Sequence, residues 1–470
     1  MAIKKMIRSL KKTTIFIIKS LLFISLFVVF FGLFSIDHPQ IIDQTRTAAI
    51  TMTTFVIIGI SMTAVYGGFA IGKKKSKDII SSLGIAAFIT DAVTYLQLCI
   101  MNTHSLDQRM FTLKSIGILL VIFILHLLIV TIFVYFGNYV YFRINPPEKC
   151  VLICFDEASA SEILPKIGKY KKQYKVTDVI SFKDPNLRKL IRHSDSIFIY
   201  NVPAQDKSDI IDYAYKHYVN VYLNAELSDI VVNYSKHNVL DDMPMLVSNI
   251  KGLSFEQKFL KRTIDIIISS VALIVFSPIM LIEALCIKLY DKGPVFFKQE
   301  RATLNGKIFN VLKFRTMIVD ADKKEGYRPA SDHDDRITPV GNILRKLRID
   351  ELPQLINILI GDMSVVGPRP ERIEHVEKYE NDLPEFRYRL RAKAGLTGLA
   401  QIAGKYNTTP KDKLILDLMY IEKYSVWQDI VIMFQTVKVF FKSDSTEGFT
   451  EESIVEFVKH QEQEHQSTDK

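Results

Sequence analysis

Four long apolar segments near the N-terminus constrain the fold more than any other feature of this sequence. They cover residues 15–34, 48–71, 79–101 and 116–139. Each is about as long as the ~20 residues that a helix needs to cross a bilayer. The first segment follows a basic start, but it is longer than the apolar part of a signal peptide, so we expect a retained helix. The sequence therefore predicts four N-terminal transmembrane helices in a domain of residues 1–145.

The loops between these segments predict their orientation. The N-terminus and the loop 73–77 are rich in lysine, whereas the other two loops are much less basic. Because cytoplasmic loops carry the excess of Lys and Arg, both ends of the four-helix domain should be cytoplasmic, as should everything after Arg143. The formal net charge of +9 suits a surface that lies against anionic lipid and handles phosphorylated substrates. No basic and aromatic motif indicates a nucleic-acid partner.

Short apolar runs alternate with amphipathic stretches between residues 146 and 250. The runs 151–155, 176–182, 196–202 and 219–223 predict strands, and 160–174, 186–192 and 207–217 predict helices. This alternation is typical of a parallel sheet covered by helices, an α/β Rossmann-like domain. Residues 156–161, after the first strand, contain no glycine, so we expect a structural or regulatory domain with a degenerate nucleotide site.

A fifth apolar stretch, residues 266–289, has Ser277 and Pro278 in its middle and basic residues on both flanks. A straight helix here could cross the bilayer, but it would carry all later residues out of the cytoplasm. Proline bends or breaks a helix, and Ser277 could bond a carbonyl that the proline leaves free. We therefore predict a re-entrant membrane helix hairpin, residues 264–290, that enters and leaves on one face. A kinked fifth span is the alternative.

An acidic pair, Asp350 and Glu351, follows a basic turn that contains Arg345 and Arg348. Pro353 predicts that a helix begins at about Asp350. Both carboxylates would then lie at the positive end of the helix dipole, where anionic ligands also bind. Such a setting keeps a carboxylate ionised while it attracts phosphate, as a carboxylate nucleophile attacking a phosphoryl group needs. Taken alone, the stretch also fits an ordinary N-cap aspartate beside a solvated basic turn.

Several short motifs surround this pair, and basic residues recur in almost all of them. They lie at residues 293–301, 309–317, 335–341, 361–370, 395–401 and 417–420. Arg369 stands between two prolines, so it is stiffly placed and could bind a phosphate as a bidentate donor. Asp362, in a glycine-flanked turn, also fits a helix or turn cap.

In this order the motifs closely resemble the monotopic polyprenyl-phosphate phosphoglycosyl transferases of bacteria, over about residues 253–441. The four spans and the Rossmann-like domain ahead of them resemble the large, multidomain form, which initiates capsular and exopolysaccharide synthesis. The resemblance implies transfer of a sugar 1-phosphate, with glucose or galactose favoured, from a UDP-sugar to undecaprenyl phosphate, with Mg²⁺ and release of UMP. We expect a multi-pass protein of the bacterial cell membrane. A mainly helical, monotopic catalytic domain, residues 251–442, would lie on the cytoplasmic face, followed by a disordered tail, residues 443–470.

The resemblance also implies roles for individual residues. Asp350 matches the nucleophile, which forms an aspartyl phosphosugar, and Glu351 matches a residue that helps to hold the metal. The residues implied beside the substrate phosphates are Lys313, Arg315, Arg345 and Arg369. The entrance of the re-entrant helix matches Arg262 and Asp265, and its central break matches Ser277 and Pro278. Arg348 departs from the common pattern, since a small polar residue is frequent there.

A competing hypothesis is a non-catalytic membrane receptor or assembly scaffold whose Rossmann-like layer senses a ligand. The four spans do not exclude it, because they contain almost no charge within the membrane and thus offer no transport path. The acidic pair and the phosphate-facing arginines argue against it. Homo-oligomers and polysaccharide assembly proteins are further partners compatible with the large form.

Overall fold

The computed structural model describes residues 2–101, 113–248, 252–319, 334–404 and 408–439. The chain forms two compact units, Met1–Asn224 and Ala225–Lys470. The tail predicted for residues 443–470 lies outside the described residues. The predicted division into four domains is finer than these two units and stays a prediction.

Helices dominate both units, with short strands between them. The helices are α1 (Ala2–Asp37), α2 (Arg46–Val65), α3 (Ser76–Met101), α4 (Leu113–Ile144), α5 (Glu157–Gly168), α6 (Leu187–His193), α7 (Ala204–Lys216), α8 (Leu227–Asn233), α9 (Phe255–Asp291), α10 (Pro339–Leu347), α11 (Gln354–Ile360), α12 (Ile373–Asp382), α13 (Leu399–Ala403), α14 (Pro410–Glu422) and α15 (Val426–Val439). The strands are β1 (Glu148–Cys154), β2 (Tyr174–Ser181), β3 (Ser196–Tyr200), β4 (Asn220–Leu223), β5 (Lys236–Leu240), β6 (Met243–Val247), β7 (Phe296–Ala302), β8 (Ile308–Phe314), β9 (Ser364–Val366) and β10 (Gly395–Thr397).

Five helices in the described residues, α1 to α4 and α9, are long and apolar enough to cross a membrane by length and composition. The prediction of long apolar N-terminal helices, as a membrane protein requires, is confirmed. The second helix ends at Val65, earlier than the predicted residue 71. The reason is that Gly67, Gly68 and Gly72 adopt positive φ angles, which an α-helix does not contain.

The four N-terminal helices bury aromatic rings between them and expose aliphatic side chains. Phe30 and Phe34 of α1 are completely buried. On α4, by contrast, Ile124, Leu128 and Ile132 are each 56% exposed. A large apolar exterior around a packed interior suits lipid chains better than water.

A buried polar link joins three of these helices. Oδ2 of Asp91 on α3 lies 2.9 Å from Nδ1 of His126 on α4. Nε2 of His126 lies 2.9 Å from the carbonyl oxygen of Leu26 on α1. Polar side chains that bond across helices stabilise helix association in membranes. The apolar pattern that located the spans did not reveal this link.

A parallel sheet with the strand order β2-β1-β3-β4 follows in the first unit. Its central strands pair Val151 with Ile197, and both side chains are buried. The strands, α6 and α7 lie within three residues of their predicted bounds. The helix predicted at 160–174 is instead α5, Glu157–Gly168, and Tyr174 already begins β2. After β1, the carboxylate of Asp156 accepts a hydrogen bond of 2.8 Å from the backbone N–H of Ser159. An aspartate cap therefore begins α5 where a dinucleotide-binding turn would have glycine.

The helix α8 belongs to the core of the second unit, although the sequence analysis placed it in the middle domain. Its Ile230 is 2% exposed and packs with Phe386, Leu414 and Leu418. The antiparallel hairpin β5–β6 follows, with Asp241 at a φ of 60° in its turn. Neither element was predicted, since a seven-residue helix carries little periodic signal.

The remaining core of the second unit is built on two small sheets. The hairpin β7–β8 is antiparallel, and β9–β10 is parallel. Ile358 and Met363 are completely buried beside them. The backbones at Gly367 and Gly395 approach so closely that a Cβ on either would lie within 2.2 Å of a backbone atom. Only glycine fits such a crossing.

The helix α9 is continuous from Phe255 to Asp291 and contains Pro278. Its first half packs into the main core through Ile268 and Leu273. Its second half packs through Ile287 against Phe314 and Leu344. Two separate half-helices are therefore not observed, and both ends of the helix are held by the same unit. The predicted return to the same membrane face stays a prediction.

Candidate active site

The acidic pair lies in a tight connection between two helices. Ile349–Glu351 form a 3₁₀ turn that follows α10 and precedes α11. Arg348 has a φ of 54°, a left-handed conformation that ends α10. The helix expected at about Asp350 begins instead at Gln354, because the chain completes this turn first. Both carboxylates therefore precede the helix rather than form its first turn.

Glu351 is held by two cations from different parts of the chain. Nζ of Lys313 on β8 donates to its Oε1 at 2.9 Å, and the guanidinium of Arg369 donates to the same oxygen at 2.8 Å. Burial raises the pKa of Glu351, but the charges of Arg369 and Lys313 outweigh it and hold the pKa well below its usual range. The structure thus brings three of the predicted site residues together.

Asp350 has a different electrostatic setting. Burial, followed by the adjacent charge of Glu351, raises the pKa of Asp350 to about 6, although Lys313, Arg345 and Arg369 act in the opposite direction. The sequence predicted a setting that favours the ionised form, whereas burial and Glu351 oppose ionisation here. The carboxylate of Asp350 is less well stabilised than that of Glu351, because no cation donates a hydrogen bond to it within the described part of the chain. A weakly compensated carboxylate is the better nucleophile of the two.

The loop that carries Arg369 is supported by a buried ion pair between Arg389 and Asp417. Nε of Arg389 donates to Asp417 at 2.9 Å, and its terminal nitrogen donates to the carbonyl oxygen of Arg369 at 2.8 Å. Arg301 adds a hydrogen bond of 3.0 Å to the carbonyl oxygen of Pro370. Such support keeps a functional side chain in one geometry. Sequence reasoning did not identify Arg389 or its role.

Arg315 does not lie at the acidic pair. Its guanidinium is 7% exposed and forms two hydrogen bonds with the carboxylate of Asp291, at the end of α9. This Arg315–Asp291 clamp joins the end of strand β8 to the long apolar helix α9. Both bonds use the terminal nitrogens of Arg315, and its predicted phosphate contact stays a prediction.

The predicted entrance residues of the membrane helix attach it to the rest of the second unit. Arg262 donates to the carbonyl oxygens of Ile358 and Leu359, at 2.6 and 2.7 Å, at the end of α11. The carboxylate of Asp265 accepts hydrogen bonds from Ser364 and from the backbone N–H of Val365, at 2.9 and 2.8 Å. These residues therefore hold α9 against the helix and strand that flank the acidic pair.

The neighbouring Lys261 adds a third attachment. It is 9% exposed, and its Nζ donates to Asp429 at 2.7 Å and to the carbonyl oxygen of Val366 at 2.9 Å. Halfway along the helix, the hydroxyl of Ser277 donates to the carbonyl oxygen of Ile274 at 2.8 Å. Ile274 lies four residues before Pro278, so its carbonyl is the one that the proline leaves free, and the predicted bond of Ser277 is confirmed.

Oxygen ligands, carboxylates among them, are what Mg²⁺ prefers, and Glu351 could supply one through its second oxygen. Both of its hydrogen bonds go to Oε1, and Oε2 accepts none from the residues that the structure covers. Among the residues that the structure describes, no group of three or more acidic, His or Cys side chains is arranged to bind a metal. The donor set therefore fits a magnesium ion that arrives with substrate phosphates, which is the usual way in which proteins bind it.

A third carboxylate, Glu283 on α9, also interacts electrostatically with Asp350. It is 5% exposed and was not identified from the sequence. The signal was present, because Glu283 is the only acidic residue in the apolar stretch 266–289. An ionisable residue within such a stretch is by default a candidate for function.

The segment that forms this site matches a known family and several curated proteins. The profile of the family "Bacterial sugar transferase" matches residues 256–443. An N-acetylgalactosaminephosphotransferase of Aeromonas hydrophila that acts on undecaprenyl phosphate is 41% identical over 183 residues, 38% of this chain and 43% of that protein. A UDP-glucose:undecaprenyl-phosphate glucose-1-phosphate transferase of Caulobacter vibrioides is 41% identical over 190 residues, 39% of this chain and 71% of that protein.

A third relative is covered over most of its length. The exopolysaccharide production protein ExoY of Rhizobium meliloti is 40% identical over 191 residues, 38% of this chain and 83% of that protein. The chain therefore belongs to the bacterial sugar transferase family. In the Aeromonas relative, by contrast, the matched segment spans less than half of the length.

Proposed function

We propose that this protein transfers a sugar 1-phosphate from a UDP-sugar to undecaprenyl phosphate and releases UMP. The observation that carries the proposal is the pairing of Asp350 with a Glu351 that Lys313 and Arg369 hold at 2.9 and 2.8 Å. This arrangement lies within the segment shared with proteins whose names describe that reaction. It supplies both a nucleophile and fixed positive charge for phosphate.

In the first step, a carboxylate oxygen of Asp350 attacks the phosphorus that bears the sugar. The bond from that phosphorus to the oxygen of UMP breaks, and UMP leaves with the electron pair. Arg345 and Arg369, which already act on the charge of Asp350, would neutralise charge on the phosphates. The product is a covalent aspartyl phosphosugar.

In the second step, an oxygen of the lipid phosphate attacks the same phosphorus, and the bond to Asp350 breaks. A covalent intermediate allows one site to serve a soluble nucleotide sugar and then a lipid. Bound Mg²⁺, held through Glu351 and the substrate phosphates, would neutralise the diphosphate charge and polarise the bond that breaks.

The proposed setting is the cytoplasmic face of a bacterial cell membrane. Helices α1 to α4 would cross the bilayer four times, with both ends in the cytoplasm, and the parallel sheet would form a Rossmann-like domain after them. Helix α9 would bend near Pro278 and return to the cytoplasmic face, which places the acidic pair at the height of the lipid headgroups. The reaction would be the first membrane step in the synthesis of an exopolysaccharide or capsular polysaccharide.

Release of UMP tests this function directly. Membranes containing the full chain are given undecaprenyl phosphate, MgCl₂ and, in separate assays, UDP-glucose, UDP-galactose and UDP-N-acetylgalactosamine. We expect UMP and a lipid-linked product from at least one of them, with glucose or galactose favoured, and loss of several powers of ten in rate for Asp350→Asn. Mass spectrometry of protein given only the UDP-sugar should detect the phosphosugar on Asp350.

Two outcomes would overturn the proposal. Normal turnover by a correctly inserted Asp350→Asn variant would exclude the covalent mechanism. If the wild-type protein bound these nucleotides without releasing UMP, a receptor or scaffold would be the better interpretation.

The proposed membrane arrangement is tested by single cysteines at Gln257 and Asn305, on either side of the apolar part of α9, in a chain whose own cysteines are replaced. Both should react with an impermeant thiol reagent only when it reaches the cytoplasmic side. Labelling at position 305 from outside would instead establish a fifth span.

A further inference from the structure

The most unusual side chain near the acidic pair is that of Glu283. It is 5% exposed, and neither of its carboxyl oxygens has a hydrogen-bond partner within the described part of the chain. A buried polar group without a partner is costly, and such groups are rare in native proteins. Folding alone gives no reason to keep a carboxyl here, where leucine or methionine would fill the same space.

The elements packed against Glu283 do not compensate its charge. On the same helix, Ala284 and Ile287 belong to the apolar cluster that includes Phe314. Among the described residues no cation contributes to the electrostatic environment of Glu283. Lys313 pairs with Glu351, and Arg315 pairs with Asp291. The charged group that acts on Glu283 is the carboxylate of Asp350. One carboxyl of the proposed reaction thus has a second, unpartnered carboxyl beside it.

We propose that Glu283 is the acid and base of the two transfer steps, a role that rests on the proposed function. In the first step, its carboxyl group gives its proton to the phosphate oxygen of the departing UMP. In the second step, the resulting carboxylate takes a proton from the phosphate of the lipid as the lipid oxygen attacks. Each cycle moves one proton onto UMP and takes one from the lipid phosphate, so Glu283 ends protonated as it began.

The geometry of a double displacement explains how one group can serve both steps. UMP leaves from the position opposite the attacking oxygen of Asp350, and the lipid phosphate must enter at that same position to displace Asp350. The two oxygens that exchange a proton therefore occupy one place in turn. A single carboxyl acts first as acid and then as base in the same way in retaining glycoside hydrolysis.

The location of Glu283 suits the second substrate. It lies on α9, five residues after Pro278, in the stretch of the helix that is otherwise apolar. A lipid phosphate that reaches Asp350 along this helix passes a proton acceptor that water reaches poorly. Asp350 and Glu351 lie on a different element, the turn before α11, so the proposed mechanism has the phosphate react between this turn and α9.

The test compares Glu283→Gln with the wild-type full chain in the two half-reactions. Exchange of labelled UMP into the active UDP-sugar without lipid measures the first step, and transfer from the isolated adduct to undecaprenyl phosphate measures the second. We expect both rates to fall roughly a hundredfold, and we expect the pH dependence of the second step to lose one ionisation. Glu256→Gln is the matched control, since this exposed residue on the same helix should leave both rates unchanged.

A second variant separates chemistry from folding. Glu283→Leu should unfold at a higher temperature than the wild type while it loses activity, because a buried, unpartnered carboxyl is replaced by a well-packed apolar group. A lower unfolding temperature for this variant would indicate a structural role and overturn the inference. Wild-type rates and pH dependence in Glu283→Gln would also overturn it.

The failure of the proposed function would be recognised separately. In that case the wild-type protein itself would show neither UMP exchange nor an adduct. If the wild type shows both and Glu283→Gln does too at full rate, only the role of Glu283 is refuted.

Discussion

Neutralising the two adjacent acids should have opposite effects on stability. Ionised Asp350 destabilises the folded protein, because burial and the charge of Glu351 raise its pKa from the ordinary 3.8 to about 6. Ionised Glu351 is stabilised, because Arg369 and Lys313 outweigh its burial and depress its pKa. Asp350→Asn should therefore stabilise the second unit, whereas Glu351→Gln should destabilise it.

The magnitude for Asp350 follows from its pKa. A rise from 3.8 to about 6 corresponds to about 3 kcal/mol at 1.36 kcal/mol for each pKa unit. The gain from Asp350→Asn should be complete above pH 7, should fall to about 1.5 kcal/mol at pH 5, and should vanish below the unfolded pKa of about 4. Glu351→Gln should instead lower the free energy of unfolding. This loss is present above the unfolded pKa of Glu351 and disappears as the pH falls through the lower folded pKa.

Thermal unfolding of the full chain in detergent, with EDTA to remove divalent cations, measures both effects. Trp427 is the only tryptophan of the sequence and lies on α15, so its fluorescence reports on the second unit. The gain of about 3 kcal/mol would raise the Tm by roughly 6–12 °C in a unit of this size. Asp382→Asn, an exposed change in the same unit, is the control. A lower Tm for Asp350→Asn at pH 7.5 would refute the electrostatic reasoning.

Three further changes test other contacts. A truncated protein that begins at Ala225 should retain UMP release. A shorter one that begins at Gly252 should be less stable than the first by about 1.5–3 kcal/mol, because it lacks the buried Ile230. Equal Tm values for the two proteins would contradict this packing. Arg389→Leu should lower kcat more than it changes the affinity for UDP-sugar, because the loop with the phosphate-facing arginine loses its support; unchanged kinetics would exclude that support. His126→Leu should lower the free energy of unfolding of the full chain by about 0.6–2 kcal/mol, seen as a lower Tm, and leave the rate of UMP release unchanged. A large loss of rate would show that the first unit takes part in the chemistry.

The elements with strong periodic signals were predictable from the sequence. The four N-terminal helices and the alternating strands and helices after them depend on runs of apolar residues whose period reflects burial. The end of α2 was missed because its apolar run continues past Gly67 and Gly68. In such a run only the positive φ angles of the glycines mark the end of the helix.

The acidic pair could be located from its neighbours in sequence, but its electrostatics could not. Glu351 meets Lys313 from β8 and Arg369 from the loop after β9, and these contacts depend on how three distant segments fold together. The left-handed Arg348 shifts the start of α11 from the expected position. The position of Arg315 in its motif likewise predicted a phosphate contact, but in the structure it pairs with Asp291 at the end of α9.

The membrane-type helix unites the features that sequence reasoning treated separately. Lys261, Arg262 and Asp265 fix its first half to the core, and the Arg315–Asp291 clamp fixes its end. A helix attached at both ends to one unit can hold a side chain at a defined point between them, even within an apolar stretch. The side chain that interacts with Asp350 from this helix is Glu283. In the proposed mechanism, the basic and acidic residues at the ends of α9 would therefore act on the reaction by positioning this carboxyl. The function of a single acidic residue in an apolar run can therefore be inferred only when the attachments of the whole helix are known.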